Sequence, residues 1–217
     1  SPTAGGLLSI KSSDTTRLTT TNQAAAIVES VTSIPSGAED QVYVSVKREI
    51  DGSTVRHVEF LKPIEFGTDV TDAFFLDSGL TYDSTATATI TGLNHLEGEI
   101  VSVLADGSSH PDKTVSGGAI TLERDASKVH VGFGYTSTVE TLRIEAGADD
   151  GIAQGKIKRI HGVTVRFFNT VGAEMGPDTN NLDRLPFRDS SMAMDEAVPL
   201  FNGDKEISFP AGYENDA

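Results

Sequence analysis

From Gln41 the chain alternates strictly. Val42, Val44 and Val46 fall on one side, and Tyr43, Ser45 and Lys47 on the other. Successive side chains of a strand point to opposite faces, so this pattern excludes a helix here and predicts a half-buried strand. Asp51-Gly52 follows, then Thr54 to Leu61, which together signal a β-hairpin. Two registers compete. A two-residue turn at Asp51-Gly52 sets Val46 opposite His57 and Val44 opposite Glu59. A three-residue loop, Ile50-Asp51-Gly52 with Gly52 in the left-handed region, sets Val44 opposite Val58 and Val42 opposite Phe60. The second gathers apolar side chains on one face and is the expected register.

The rest of the chain keeps this rhythm. Strand candidates are Ala73 to Leu76, Thr85 to Thr91, Glu99 to Ala105, Ala119 to Leu122, Val129 to Phe133 and Thr141 to Glu145. Lys156 to Phe168 is the longest candidate, and Ile207 to Phe209 the last. Turns are expected at Lys62-Pro63, Asp106-Gly107, His110-Pro111-Asp112, Gly117-Gly118 and from Ala146 to Gly155. Short strands with such punctuation roughly every 8 to 12 residues belong to small sandwiches and barrels. The expected fold is all-β: antiparallel β layers, in part sandwich-like or propeller-like, with a small inserted β-barrel-like module. Residues 1–38 read as an arm or irregular lead-in, with a weak helix candidate at Asn22 to Ser30. Residues 39–80 are the first part of an outer β layer and 81–136 the small module. Residues 137–217 are the second part of the outer layer and a C-terminal arm.

Composition narrows the function classes. The hydrophobic fraction is 37% in 217 residues, which suits thin β layers or surface buried against partners. There are no cysteines, so disulfides, thiolate nucleophiles and Cys-based zinc sites are excluded. No apolar run approaches the roughly 18 to 20 residues of a membrane-spanning helix, so no membrane span is expected. Ser1 to Gly6 has neither the basic nor the apolar part of a signal peptide. The net charge of −15 repels phosphate backbones, so no specific nucleic-acid binding is expected. The same acidity suits solubility, or a wall past which DNA moves without sticking.

Candidate chemistry is sparse. His95, Glu97 and Glu99 would share one face of a strand and could grip a metal. The run from Asp106 to Asp112 offers oxygen ligands near a turn, but without the EF-hand spacing. Gly132-Phe133-Gly134 starts like a dinucleotide fingerprint, yet Ser137 stands where the third glycine belongs and no helix follows. Those glycines read instead as points where a strand bends or a neighbour approaches closely. No nucleophile elbow, Walker loop or His-Glu-x-x-His is present. No enzyme, metal or cofactor is expected. One local basic stretch stands out: Lys156, Lys158, Arg159, His161 and Arg166. Lys156, Lys158, Arg159 and Arg166 are candidates for contact with an acidic neighbouring subunit.

A longer match is carried by GLNHLEGEIVSVLADGSSHPDKTVSGGAITLERDASKVHVGFGYTSTVETLRIE, most distinctively from Leu93 to Leu122. It resembles a module of large structural proteins of tailed bacteriophages, especially short-tailed ones. That module is often likened to the small β domain of ubiquitin-activating enzymes. VYVSVKREIDGSTVRHVEFL, GKIKRIHGVTVRFFNTVG and the final LDRLPFRDSSMAMDEAVPLFNGDKEISFPAGYENDA fit the same family, so the resemblance covers about residues 40–217. It implies a tail-tube, nozzle or tail-stabilisation component located in the virion. Such a protein assembles as a homo-oligomeric ring with other tail proteins around a DNA channel. It brings no catalytic residues. The alternative is a module that binds a host-surface glycan or receptor, for which ten Phe and four Tyr could supply contacts.

Overall fold

The computed structural model describes residues 3–4, 26–37, 39–62, 65–139, 159–194 and 196–208. Strands hold 61% of these residues and helix 4%, so the fold is all-β. The sheets are antiparallel in the main, and none closes into a barrel. The chain divides into two compact units, Ser1–Ser137 and Thr138–Ala217.

The first unit is one eight-stranded sheet. Its strands are β1 (Thr3–Ala4), β2 (Ile27–Ser36), β3 (Glu39–Ile50), β4 (Ser53–Leu61), β5 (Leu76–Thr91), β6 (Ile100–Ala105), β7 (Ser108–Thr114) and β8 (Ala119–Gly134). They lie in the order β2-β3-β4-β1-β5-β8-β6-β7. β1 runs parallel to β4, and the other pairings are antiparallel.

The β3–β4 hairpin forms, but in the register that sequence reasoning ranked second. Ile50 pairs with Ser53, Val46 with His57 and Val44 with Glu59. Asp51 (φ +46°) and Gly52 (φ +68°) both occupy the left-handed region. A two-residue turn of that kind matches the right-handed twist of its strands, and Asp-Gly is a favoured sequence for it. Turn geometry therefore outweighs the gathering of apolar residues. Val58 is left 59% exposed, while Glu59 is buried.

Ile27–Ser36 is a ten-residue strand, where the sequence suggested an irregular lead-in and a weak helix reaching Ser30. A register shift between Val28 and Ser30 breaks its alternation, which hides the strand pattern. Pro35 is tolerated because β2 is an edge strand.

β5 and β8 are each 16 residues long, longer than any strand expected. Their pairing is interrupted by register shifts between Asp77 and Leu80, Asp83 and Thr87, and Thr87 and Thr89. These shifts change which side chains face inward. Ile120 and Leu122 are buried in the first half of β8, and Val129, Val131 and Phe133 in the second. All five enter one core with Leu93, Leu96, Val101, Val103 and Val115. Asn94–Leu96 is a short 3-10 turn that buries Leu96. His110-Pro111-Asp112 is not a turn but part of β7, an edge strand where the proline displaces no ladder bond.

The second unit holds β9 (Gly162–Thr170), β10 (Glu174–Met175), β11 (Asp183–Arg184) and β12 (Phe201–Ser208). β9 pairs with β12 and β10 with β11, both antiparallel. β9 begins at Gly162, whereas a strand was expected from Lys156; residues 156–158 and Thr141 to Glu145 lie outside the described residues. Leu185 and Ile207 form its small core with Val163, Phe167 and Phe187. The Lys205 ammonium lies 5.0 Å from the Phe187 ring centroid and 4.5 Å from that of Phe201. It also donates to the Pro186 carbonyl at 2.7 Å.

Candidate functional site

The two-residue register places Arg48 and Glu59 on the inward face of the hairpin. Arg48 Nε and Nη2 each donate to a Glu59 carboxylate oxygen at 3.3 Å, and the side chains are 3% and 0% exposed. Ser78 donates to Glu59 Oε1 at 2.6 Å. Its positive φ (+51°), at the register shift in β5, turns its hydroxyl to that carboxylate. The Arg48 guanidinium also sits 5.6 Å from the Phe133 ring centroid. Asp77 is a neighbour in this cluster. Burial pushes its carboxyl up, Arg48 draws it down, and Glu59 raises it further.

Two histidines complete the group. His95 Nε2 lies 2.9 Å from the Ser78 carbonyl, so that nitrogen carries the proton and donates. Burial lowers its basicity, partly offset by that hydrogen bond. His57 presents its ring edge-on to His95, with centroids 6.0 Å apart, and its Nε2 is buried without a partner. Both Glu59 oxygens are already engaged. The arrangement ties β3 and β4 to β5 and to the β8 core. Sequence reasoning missed it because the preferred register put Val58 on the face of Val44 and Arg48 and turned Glu59 to the other.

The other candidates separate. His95 is bound to Ser78, while Glu97 accepts from the amides of Gly117 and Gly118 at 2.8 and 2.7 Å. Glu99 accepts from the amide of Asp51 at 3.1 Å. Glu97 thus secures one turn and Glu99 another, and the three side chains do not converge. Asp106 accepts from the amides of Ser127 and Lys128, and Asp112 from the Ser102 hydroxyl. Among the described residues no group of three or more His, Asp or Glu is placed to hold a metal. At Gly132 an added Cβ would lie 2.7 Å from Gly79 Cα and 2.8 Å from the Asp77 carbonyl oxygen. The glycine there permits close strand approach.

Of the four basic contact candidates, Lys156 and Lys158 lie outside the described residues. Arg159 is exposed just before β9. Arg166 is 81% exposed on β9 and binds Asp204 of β12 through two hydrogen bonds, at 2.7 and 2.8 Å. That guanidinium holds the Asp204 carboxyl below its usual range. The charge of Arg166 is therefore answered within the chain.

The two edges of the eight-stranded sheet differ in kind. β7 carries His110, Pro111, Asp112 and Lys113. Lys113 pairs with Glu123 at 3.3 Å, and His110 Nε2 accepts from the Glu123 amide at 3.0 Å. Proline, charge and side-chain cover all blunt a sheet edge. β2 is exposed along its whole length. Val28 and Val31 extend the face of Val46 and Val44, and are 50% and 65% exposed. Ile27 and Ile34 lie on the opposite face, 56% and 48% exposed. The one charged residue of β2, Glu29, is bound by Arg56 at 2.8 and 3.1 Å.

No protein-family model matches this chain, and no curated protein matches it either.

Proposed function

We propose that this chain is a structural subunit of a bacteriophage virion, a component of the tail that acts by assembly with copies of itself and with other tail proteins. The observation that supports this reading is the exposed β2 edge. It is ten residues long, fully exposed, and apolar on both faces. Strand addition at such an edge gains main-chain hydrogen bonds and buries apolar side chains together. The resemblance of Leu93 to Leu122 to phage tail modules supplies the setting. A net charge of −15 suits a conduit that DNA leaves freely, because a basic lining would hold the genome.

The test is negative-stain microscopy and light scattering of the purified full chain, alone and mixed with candidate tail proteins. Rings or defined oligomers support the proposal. A strictly monomeric protein at high concentration that binds no tail protein overturns it.

A further inference from the structure

We infer that β2 is a homotypic contact, in which its free edge pairs antiparallel with β2 of a second copy and continues the sheet across a twofold axis. This inference rests on the assembly reading above and names the partner of that edge.

The first argument is the contrast within one sheet. β7 shows the devices that keep strand edges apart: a proline, three titratable side chains, and cover from Glu123. From Ile27 to Ile34, β2 has no proline and one charged side chain, Glu29, beside a register shift; Pro35 follows. Its lone acid is already neutralised by Arg56.

The second argument is charge. The chain has 32 acidic and 17 basic residues, so two copies repel over most of their surfaces. β2 itself carries one charge, Glu29, which Arg56 pairs, while β3 adds Glu39 and Asp40 opposite the far end of the strand. From Ile27 to Ile34 the strand brings no unpaired charge to a second copy. A basic foreign partner would find no uncompensated acid on β2, so the edge favours an incoming strand that is itself apolar and uncharged. β2 of a second copy has that chemistry.

The third argument is packing. Val28 and Val31 stand beside buried Val46 and Val44, yet half or more of their own surface is in water. An added strand places its own side chains beside them and completes that face. A twofold contact of this kind joins copies in pairs and does not close a ring. Ring closure requires a second, head-to-tail contact elsewhere.

The test uses the full chain. Val28→Lys/Val31→Lys places two charges on the edge at positions exposed enough to leave the fold intact. Val58→Lys introduces one such charge on β4, away from the edge. By light scattering over a dilution series, the edge variant should weaken self-association about tenfold or more, with Val58→Lys equal to the unchanged chain. The native chain has no cysteines. Single substitutions Val28→Cys, Val31→Cys and Ser33→Cys therefore report the contact by oxidative cross-linking, and Ser109→Cys on β7 serves as the control. Cross-linked dimer from at least one β2 position and none from Ser109→Cys supports the inference. The inference fails if no β2 cysteine cross-links, if the edge variant associates unchanged, or if Val58→Lys weakens association equally. An assembly that persists through those failures leaves the assembly reading standing and removes β2 as its contact.

Discussion

Arg48 of β3 and Glu59 of β4 meet through two 3.3 Å hydrogen bonds with almost no solvent contact, and Ser78 of β5 adds a third bond to the same carboxylate. Breaking a buried pair by removing one partner strands the other charge, at a cost of about 3 to 5 kcal/mol. Glu59→Ala should therefore lower unfolding stability by about that much in a urea titration. Arg48→Met/Glu59→Leu together should recover most of the loss, because no charge is then left alone. A double variant as unstable as Glu59→Ala would show that the pair does more than neutralise itself.

Asp77 sits beside that pair with its carboxyl raised by burial. A carboxyl raised in the folded state contributes stability below its unfolded value, and that contribution is lost as pH rises through the folded one. At neutral pH the charge is a burden. Asp77→Asn should stabilise the first unit at pH 7, and the gain should shrink in acid. Equal melting temperatures at pH 7 would contradict this.

His130 and His95 are both made less basic by burial. His130 Nε2 donates to the Thr71 carbonyl at 2.8 Å, and Nδ1 accepts from the Thr81 hydroxyl at 2.8 Å. The unfolded chain therefore takes up protons first. Stability should fall as pH drops below about 6.5 and level off once the folded histidines titrate. Each histidine contributes a slope of at most about 1.4 kcal/mol per pH unit. His130→Gln should remove one proton from that dependence, as read from unfolding midpoints between neutral and mildly acidic pH.

Gly132 lies against backbone on two sides, Gly79 Cα and the Asp77 carbonyl oxygen. Backbone cannot swing aside as a flexible side chain can. Gly132→Ala should cost about 1 to 3 kcal/mol by thermal melting, whereas Gly134→Ala faces only the Ser102 side chain and should cost less.

Legibility in the sequence followed the regularity of the alternation. Val42 to Val46 and Ile100 to Ala105 alternate cleanly and form strands where expected. β2, β5 and β8 carry register shifts, and each shift changes which parity faces inward, so their continuity was hidden. Val129 to Phe133 was recognised, but not as the second half of a strand that starts at Ala119. The interior polar cluster was hidden for a different reason. A rule that maximises apolar burial cannot foresee a carboxylate that is buried with its partner, and Glu59 is such a carboxylate. The close-approach role of Gly132 was legible, because only glycine leaves space for a neighbouring backbone. The contrast between β2 and β7 could have been read from composition alone, had Ile27–Ser36 been recognised as a strand.

Hydrogen exchange of the full chain, dilute and concentrated, tests assembly through β2 most directly. The account predicts that amides of Ile27–Ser36 gain protection as concentration rises, while those of Ser108–Thr114 stay unchanged. Exchange in β2 that is equally fast at every concentration would contradict it.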